Sequence, residues 1–159
     1  MPRNLDTAEL AGWRAYIEAS QLLLTRLEEE LRRSSNLTLG DYHVLVLLSE
    51  APGQRLRMGE LAERLIFSPS RLTYQISTME RRDLVRRQPC PADRRGSEAV
   101  LTPTGLSTLR AAAPHHLEAV RALFVDDLDA DALACLTRVF TRLGNRLRSA
   151  PEPAGEPRS

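Results

Sequence analysis

From Thr7 onward, Leu10, Trp13, Ile17, Leu24, Leu27 and Leu31 recur at helical spacing among polar residues, which predicts one long amphipathic helix to about Arg33. The segment SSNL breaks it. Thr38 or Asp41 then caps a second helix through YHVLVLLSEA, apolar on several sides and so expected to be buried, and Pro52-Gly53 ends it. RLRMGELAERL follows as a short helix with Met58, Leu61, Ala62 and Leu65 on one face. In IFSPSRLTYQISTMERRD, Ser68 is suited to an N-cap and Pro69 to the first helical position, with Leu72, Ile76 and Met79 as an inner stripe. LVRRQPC and SEAVLT are strand-like runs that form a hairpin. Thr102-Pro103 opens another long helix, GLSTLRAAAPHHLEAVRALFV, and Pro114 inside it predicts a kink, because it removes one backbone donor. DDLDADALACLTRVFTRLGNRL is the last helix, opened by Asp127 or Asp129. APEPAGEPRS, residues 150–159, is proline-rich and reads as a disordered tail.

Two short helices joined by a tight turn and followed at once by a hairpin predict a winged helix-turn-helix. The class is mainly α with a small β wing. In that arrangement the N-terminal residues of the second short helix enter the major groove of DNA. With Leu72, Ile76 and Met79 inward, Ser70, Arg71, Thr73, Tyr74, Gln75 and Thr78 are expected to face outward, and Ser68 sits at the helix start. Arg71 has the length and fork to read guanine, Gln75 can bridge an adenine edge, and the hydroxyls suit bases or phosphates. The hairpin tip carries Arg94 and Arg95, whose guanidinium groups suit the negative potential of a narrow minor groove. Gly96 is expected to permit the tight turn there, and Asp93 to brace the loop through Arg95.

The charge distribution supports the same surface. The 159-residue chain has no lysine, and its 22 arginines nearly balance 21 acids. Between Arg55 and Gly96, however, ten arginines face five acids, a net +5, which leaves −4 elsewhere. A basic face within a near-neutral chain points to a polyanionic partner. The length suits one domain spanning residues 1–149, with the winged core over about 38–102. No apolar run is long enough for a bilayer, and MPRNLDTAEL lacks a signal-peptide core, so a cytoplasmic location and no membrane partner are expected. Cys90 and Cys135 make no disulfide framework and read as reduced thiols.

In WRAYIEASQLLL, LTLGDYHVLVLLSEAPGQRLRMGELAERL, SPSRLTYQISTMERRDLVRR, DRRG and LTPTG, from about Trp13 to Leu147, the chain resembles the MarR family of bacterial transcription regulators. The Asp-x-Arg wing, here Asp93-Arg94-Arg95, is the most specific of these motifs. The resemblance implies a homodimer built by the terminal helices, about 7–34 and 103–148, on a pseudo-palindromic operator. It also implies a small effector that binds between those helices and the winged core and releases DNA. Trp13, Tyr16, Tyr42 and His43 are the candidates to line that pocket. Tyr74 and Thr78 stand where relatives are often basic, and Asp83 stands where the turn into the wing is usually glycine. Peroxide sensors of the family use a cysteine in the first helix, and residues 1–33 contain none.

The terminal helices have apolar stripes too wide for a small winged core to cover, which independently predicts pairing with a second copy. His43, His115 and His116 invite a metal-sensing reading, yet adjacent His115 and His116 point about 100° apart and cannot clamp an ion as an i, i+4 pair would. No metal and no cofactor is therefore expected. Cys90 as a redox trigger and Trp13 as a ligand contact compete with plain packing roles. Arg81, Arg82, Arg86 and Arg87 are candidates for phosphate contacts. No nucleophile elbow, HExxH or phosphate-binding glycine loop supports an enzyme. A redox- or metal-responsive regulator of the same fold is the alternative, followed by a winged helix that binds only protein.

Overall fold

The computed structural model describes residues 4–90 and 93–149, and for residues 93–95 the backbone alone. Six helices and three strands follow one another as α1 (Thr7–Ser35), α2 (Leu39–Glu50), β1 (Arg55–Arg57), α3 (Met58–Leu65), α4 (Pro69–Glu80), β2 (Val85–Cys90), β3 (Asp93–Leu101), α5 (Pro103–Val120) and α6 (Ala130–Ser149). A 3-10 turn, Pro52–Gln54, precedes β1, and a π-helical turn, Arg121–Val125, follows α5. The chain forms two compact units, one through Arg121 and one from Ala122. The architecture is mainly α with a small antiparallel sheet, as expected for a winged helix-turn-helix.

Local chemistry explains most boundaries. Asp6 and Glu9 exchange backbone and side-chain hydrogen bonds in a capping box that starts α1. The helix runs past Arg33 to Ser35, because Asn36 adopts the left-handed conformation and its N–H donates back into the last turn. Both candidate caps of α2 are used: Thr38 accepts from the Asp41 N–H at 2.9 Å while Asp41 accepts from the Thr38 N–H at 3.0 Å. Ser68 caps α4 by accepting from the Arg71 N–H, with Pro69 at its first position. Asp129 accepts from the Ala132 N–H at 2.8 Å and opens α6.

One element was not anticipated. RLR, expected to lead straight into a helix, is the strand β1, which pairs antiparallel with β3 through Leu56 and Ala99. Three residues are too few to show a period of two, and the partner lies some forty positions later in the chain. The sheet order is β1-β3-β2, so the hairpin is fastened along β3 to a third strand. A second correction concerns Gly96. It lies within β3, where Pro89 pairs with Ser97 while the next residue, Cys90, pairs with Asp93. Arg94, Arg95 and Gly96 thus occupy an irregularity of β3, and Gly96 is not the turn residue.

Leu31 and Leu37 around the end of α1, Val44, Leu45 and Leu48 of α2, Leu61 of α3, Leu72, Ile76 and Met79 of α4, Ala99 of β3 and Leu109 and Ala112 of α5 form one core. α5 continues through Pro114 to Val120. Its start is locked to the foot of the wing. Thr102 Oγ1 accepts from the Gly105 N–H and donates to the carbonyls of Asp83 and Leu84. Asp83, in the position expected for glycine, takes the left-handed conformation at φ 54° and its carboxylate accepts from Thr104 Oγ1 at 2.8 Å. Asp tolerates that conformation better than most residues do. At Gly105 any Cβ would overlap the Leu84 carbonyl and stand 2.9 Å from Leu101 Cδ1. Ile66, at the C-cap of α3, is also left-handed at φ 56°, an unfavourable place for a β-branched side chain, and is 81% exposed.

His116 of α5 is buried against Tyr42 of α2, with ring centroids 4.3 Å apart, and its Nδ1 has no hydrogen-bond partner among the described residues. Burial lowers its pKa below the ordinary 6.5, and the nearby His43 lowers it further.

Two outcomes follow. Gly105→Ala should cost about 1–3 kcal/mol in urea unfolding, because the obstructing atom is backbone and cannot rotate away. As pH falls through 6.5, the unfolded chain takes up a proton at residue 116 that the folded chain resists, so stability should fall until the lower folded pKa is passed. Denaturation midpoints at pH 7.5 and 5.5 should therefore differ less in His116→Phe than in the parent.

Candidate nucleic-acid interface

The Ser-Pro start of α4 sets its first turn, and the buried stripe Leu72, Ile76 and Met79 fixes which side looks out. Ser68, Ser70, Arg71, Thr73 and Tyr74 are all exposed, Tyr74 to 73%. The Ser68 and Ser70 hydroxyls lie 3.2 Å apart, and Thr73 Oγ1 donates to the Pro69 carbonyl, which leaves that hydroxyl able to accept. The Arg71 guanidinium rests 3.9 Å from the centre of the Phe67 ring, a cation–π contact that restrains a long side chain. The first half of the helix is therefore a polar and cationic surface whose members are partly ordered before any partner arrives.

Gln75 and Thr78 depart from expectation. Neither faces freely outward. Gln75 is half-buried, and its Nε2 donates to Asp41 Oδ1 on α2. Thr78, also half-buried, accepts from Arg81 Nη2 at 3.1 Å. Helical period alone put both on the outer side; the proximity of α2 and of the following arginines decides otherwise.

Several arginines of the basic block are already committed. Arg82 donates to Asp41 Oδ2 at 2.9 Å and to the Asn36 carbonyl. Arg55 and Gln88 converge on the buried Glu98 carboxylate, at 3.5 and 2.6 Å. Arg64 pairs with Glu60 one turn earlier on α3. Arg87 donates from Nε to Ser97 Oγ across the hairpin and from its backbone to Glu80. Arg86 is exposed on β2. The side chains of Asp93, Arg94 and Arg95 lie outside the described residues, and with them the brace expected between Asp93 and Arg95.

The four pocket candidates do not gather. Trp13 and Tyr16 of α1 face each other, centroids 6.1 Å apart, with Trp13 55% exposed. Tyr42 is buried between His43 and His116. An open cleft of about 610 Å³ lies elsewhere, lined by Leu24, Glu28, Leu39, Gly40, His43 and Arg71 among others; of the four, His43 alone lines it. Asp41 and Phe67 are participants that sequence reasoning missed as site residues, while Arg82, weighed there for phosphate, and His116, weighed for metal, make contacts within the fold. The roles of Asp41, Arg82 and His116 come from contacts between residues dozens of positions apart, for which a single chain carries no local signal, whereas Phe67 meets Arg71 only four residues on. Cys90 is buried in β2 and Cys135 exposed on α6. Among the described residues no group of three metal-capable side chains occurs, and no helix is long and apolar enough to cross a membrane.

Residues 37–97 match the MarR family model, which spans α2 to β3. No curated protein matches the chain. Among solved structures, AbsC, a MarR family transcriptional regulator from Streptomyces coelicolor, superposes with a TM-score of 0.90 at 43% identity, covering 94% of this chain and 100% of that one. Sco3205, a MarR family transcriptional regulator from the same organism in complex with DNA, also has a TM-score of 0.90, at 38% identity, covering 98% of this chain and 96% of that one. A mutant of MarR from E. coli, complexed with operator DNA, shares the fold at a TM-score of 0.76 and 22% identity, covering 89% of this chain and 99% of that one. With identity of this order over the full length of AbsC and nearly all of Sco3205, the chain belongs to the MarR family of transcriptional regulators.

Proposed function

We propose that the chain is a cytoplasmic, ligand-responsive repressor that binds a pseudo-palindromic operator as a homodimer. The observation that carries this reading is the exposed first half of α4, where Ser70, Arg71 and Tyr74 stand clear of the core on a helix rigidly seated by Leu72, Ile76 and Met79. A helix so presented fits the major groove, which admits one helix and offers guanine two acceptors for a guanidinium fork. Arg94 and Arg95, in the irregular part of β3, serve the adjacent minor groove, with Asp93 as the brace. The similar Sco3205 was solved in complex with DNA.

Dimerisation follows from unsatisfied apolar surface. Trp13, Leu22 and Leu24 on α1, Leu117 on α5 and Phe140 and Leu147 on α6 are large and exposed. Scattered single residues of this kind are ordinary, but three on α1 and two on α6, with one on α5, suit burial against a second copy. Two-fold pairing would set two copies of α4 about one DNA turn apart. The open cleft beside Arg71 is the natural place for an effector, because a ligand there competes for a side chain that reads the operator.

If the arginines neutralise several phosphates per protomer, affinity for duplex DNA should fall steeply with salt, with a log–log slope of roughly −0.9 for each phosphate. An equilibrium anisotropy titration that gives a slope near zero would exclude DNA as the partner. Arg71→Ala should lose on the order of 1–3 kcal/mol on the preferred operator and relax discrimination at one base position. Arg95→Ala should instead weaken every sequence, most where A·T pairs flank the half-site; competition against a panel of single-base variants separates the two patterns.

A further inference from the structure

Gln75 lies one turn after Arg71, on the same stripe of α4 that faces the groove in the proposed function. An amide at that place has the donor and acceptor pair that reads adenine. Its carboxamide is nevertheless turned aside. Nε2 donates to Asp41 Oδ1, and Oε1 lies so near Gly40 that a Cβ there would be 3.4 Å away. Gly40 leaves the space that the amide fills.

Asp41 is 1% exposed, and both of its carboxylate oxygens are engaged. Oδ2 takes the Thr38 N–H at 3.0 Å and Arg82 Nη1 at 2.9 Å, while Oδ1 takes Gln75. Arg82 in turn reaches the Asn36 carbonyl at 2.5 Å. Asp41 thus ties the start of α2 to the middle of α4 and to the second residue past its end, and through Arg82 to Asn36 at the end of α1. Releasing Gln75 would leave a buried, ionised oxygen unsatisfied, whereas an amide that reads adenine only replaces bonds it could make to water. A charge-assisted bond of this kind shifts such an equilibrium by roughly tenfold to a hundredfold, and the bare oxygen left behind adds to it.

We propose that Asp41 is a specificity-determining positioning residue that withholds Gln75 from the DNA, so that the half-site is read by Arg71 and its exposed neighbours and not by an amide one turn later. This rests on α4 being the base-reading helix. Asp41 acts on base preference without touching DNA, by removing one reader from the set that the helical stripe offers.

The test is selection from a random double-stranded DNA library with the full-length protein, its Gln75→Ala, Asp41→Ala and Arg82→Ala variants and the Asp41→Ala/Gln75→Ala double variant. The parent, Gln75→Ala and Arg82→Ala should select the same bases. Asp41→Ala should gain a preference of roughly tenfold for adenine at one position per half-site, and the double variant should lose it. Arg82→Ala controls for the guanidinium that Asp41→Ala also sets free, since a phosphate contact changes affinity and not base choice. Loss of a base preference in Gln75→Ala alone, or an Asp41→Ala preference identical to the parent's, overturns the inference while leaving DNA binding intact. No enrichment by the parent overturns the proposed function and this inference with it. Should Asp41→Ala not fold, the side-chain amide resonances of Gln75 in the parent decide: unchanged on addition of the selected duplex supports the latch, and a shift of those resonances overturns it.

Discussion

Everything in the first compact unit is arranged around the need to cover α2. Val44, Leu45 and Leu48 are fully buried, and Val46 and Leu47 pack partly against the same core, so the helix is apolar on nearly every side. Each such leucine contributes about 1.5–3 kcal/mol when taken out of water. No single neighbour can enclose a helix of this kind. α1, α3, α4, α5, β1 and β3 each pack against it. The one buried charge it carries, Asp41 in its first turn, is admitted because Thr38, Gln75 and Arg82 supply donors on both carboxylate oxygens. A buried carboxylate without them would be strongly destabilising. The seat of α4 is thus defined twice, by its inner stripe and by this carboxylate.

The arginine-rich composition looks different once contacts are counted as commitments. Arg55, Arg64, Arg82 and Arg87 hold acids, carbonyls or hydroxyls of the fold itself. Arg82 and Arg55 are each neutralised at a distance by an acid outside the block, Asp41 and Glu98, so the basic face is weaker than the formal count of its segment. Among the described residues, Arg71, poised on Phe67, and Arg86 on β2 belong to the exposed arginines that hold no acid of the fold. In the proposed function, base reading falls to few side chains, of which Arg71 is held by a neighbour, and this suits discrimination better than a uniformly basic patch does.

Local signals in the sequence were read well where the chemistry is local. Ser68-Pro69, Thr102-Pro103 and Asp129 begin helices because a side-chain oxygen three residues before an amide can reach it. The inner stripe of α4 follows from period alone. What escaped was non-local. β1 exists because β3 offers it an edge, and three residues carry no pattern of their own. Gln75 turns inward because a residue 34 positions away sits beside it, and Gly96 joins a strand because the register slips between Pro89 and Cys90. The departure at Asp83 was visible in the sequence, but the reason it is tolerated, a left-handed backbone braced by Thr104, required the fold.

The core that seats α4 is not confined to the helix-turn-helix and its wing. Leu31 and Leu37 enter it from before α2, and Leu109 and Ala112 from α5. A segment cut at the ends of the winged region would carry Leu45 and Leu48 with part of their cover gone. The reading head is therefore not an excisable cartridge. During synthesis, α2 to β3 can make their local turns as they emerge, but the interior cannot close until α5 follows and docks on α1, a contact between residues far apart in the chain. Completion of the fold waits on its later part, so a nascent chain interrupted before α5 has the exposed side chains of α4 in sequence but no rigid frame on which to hold them.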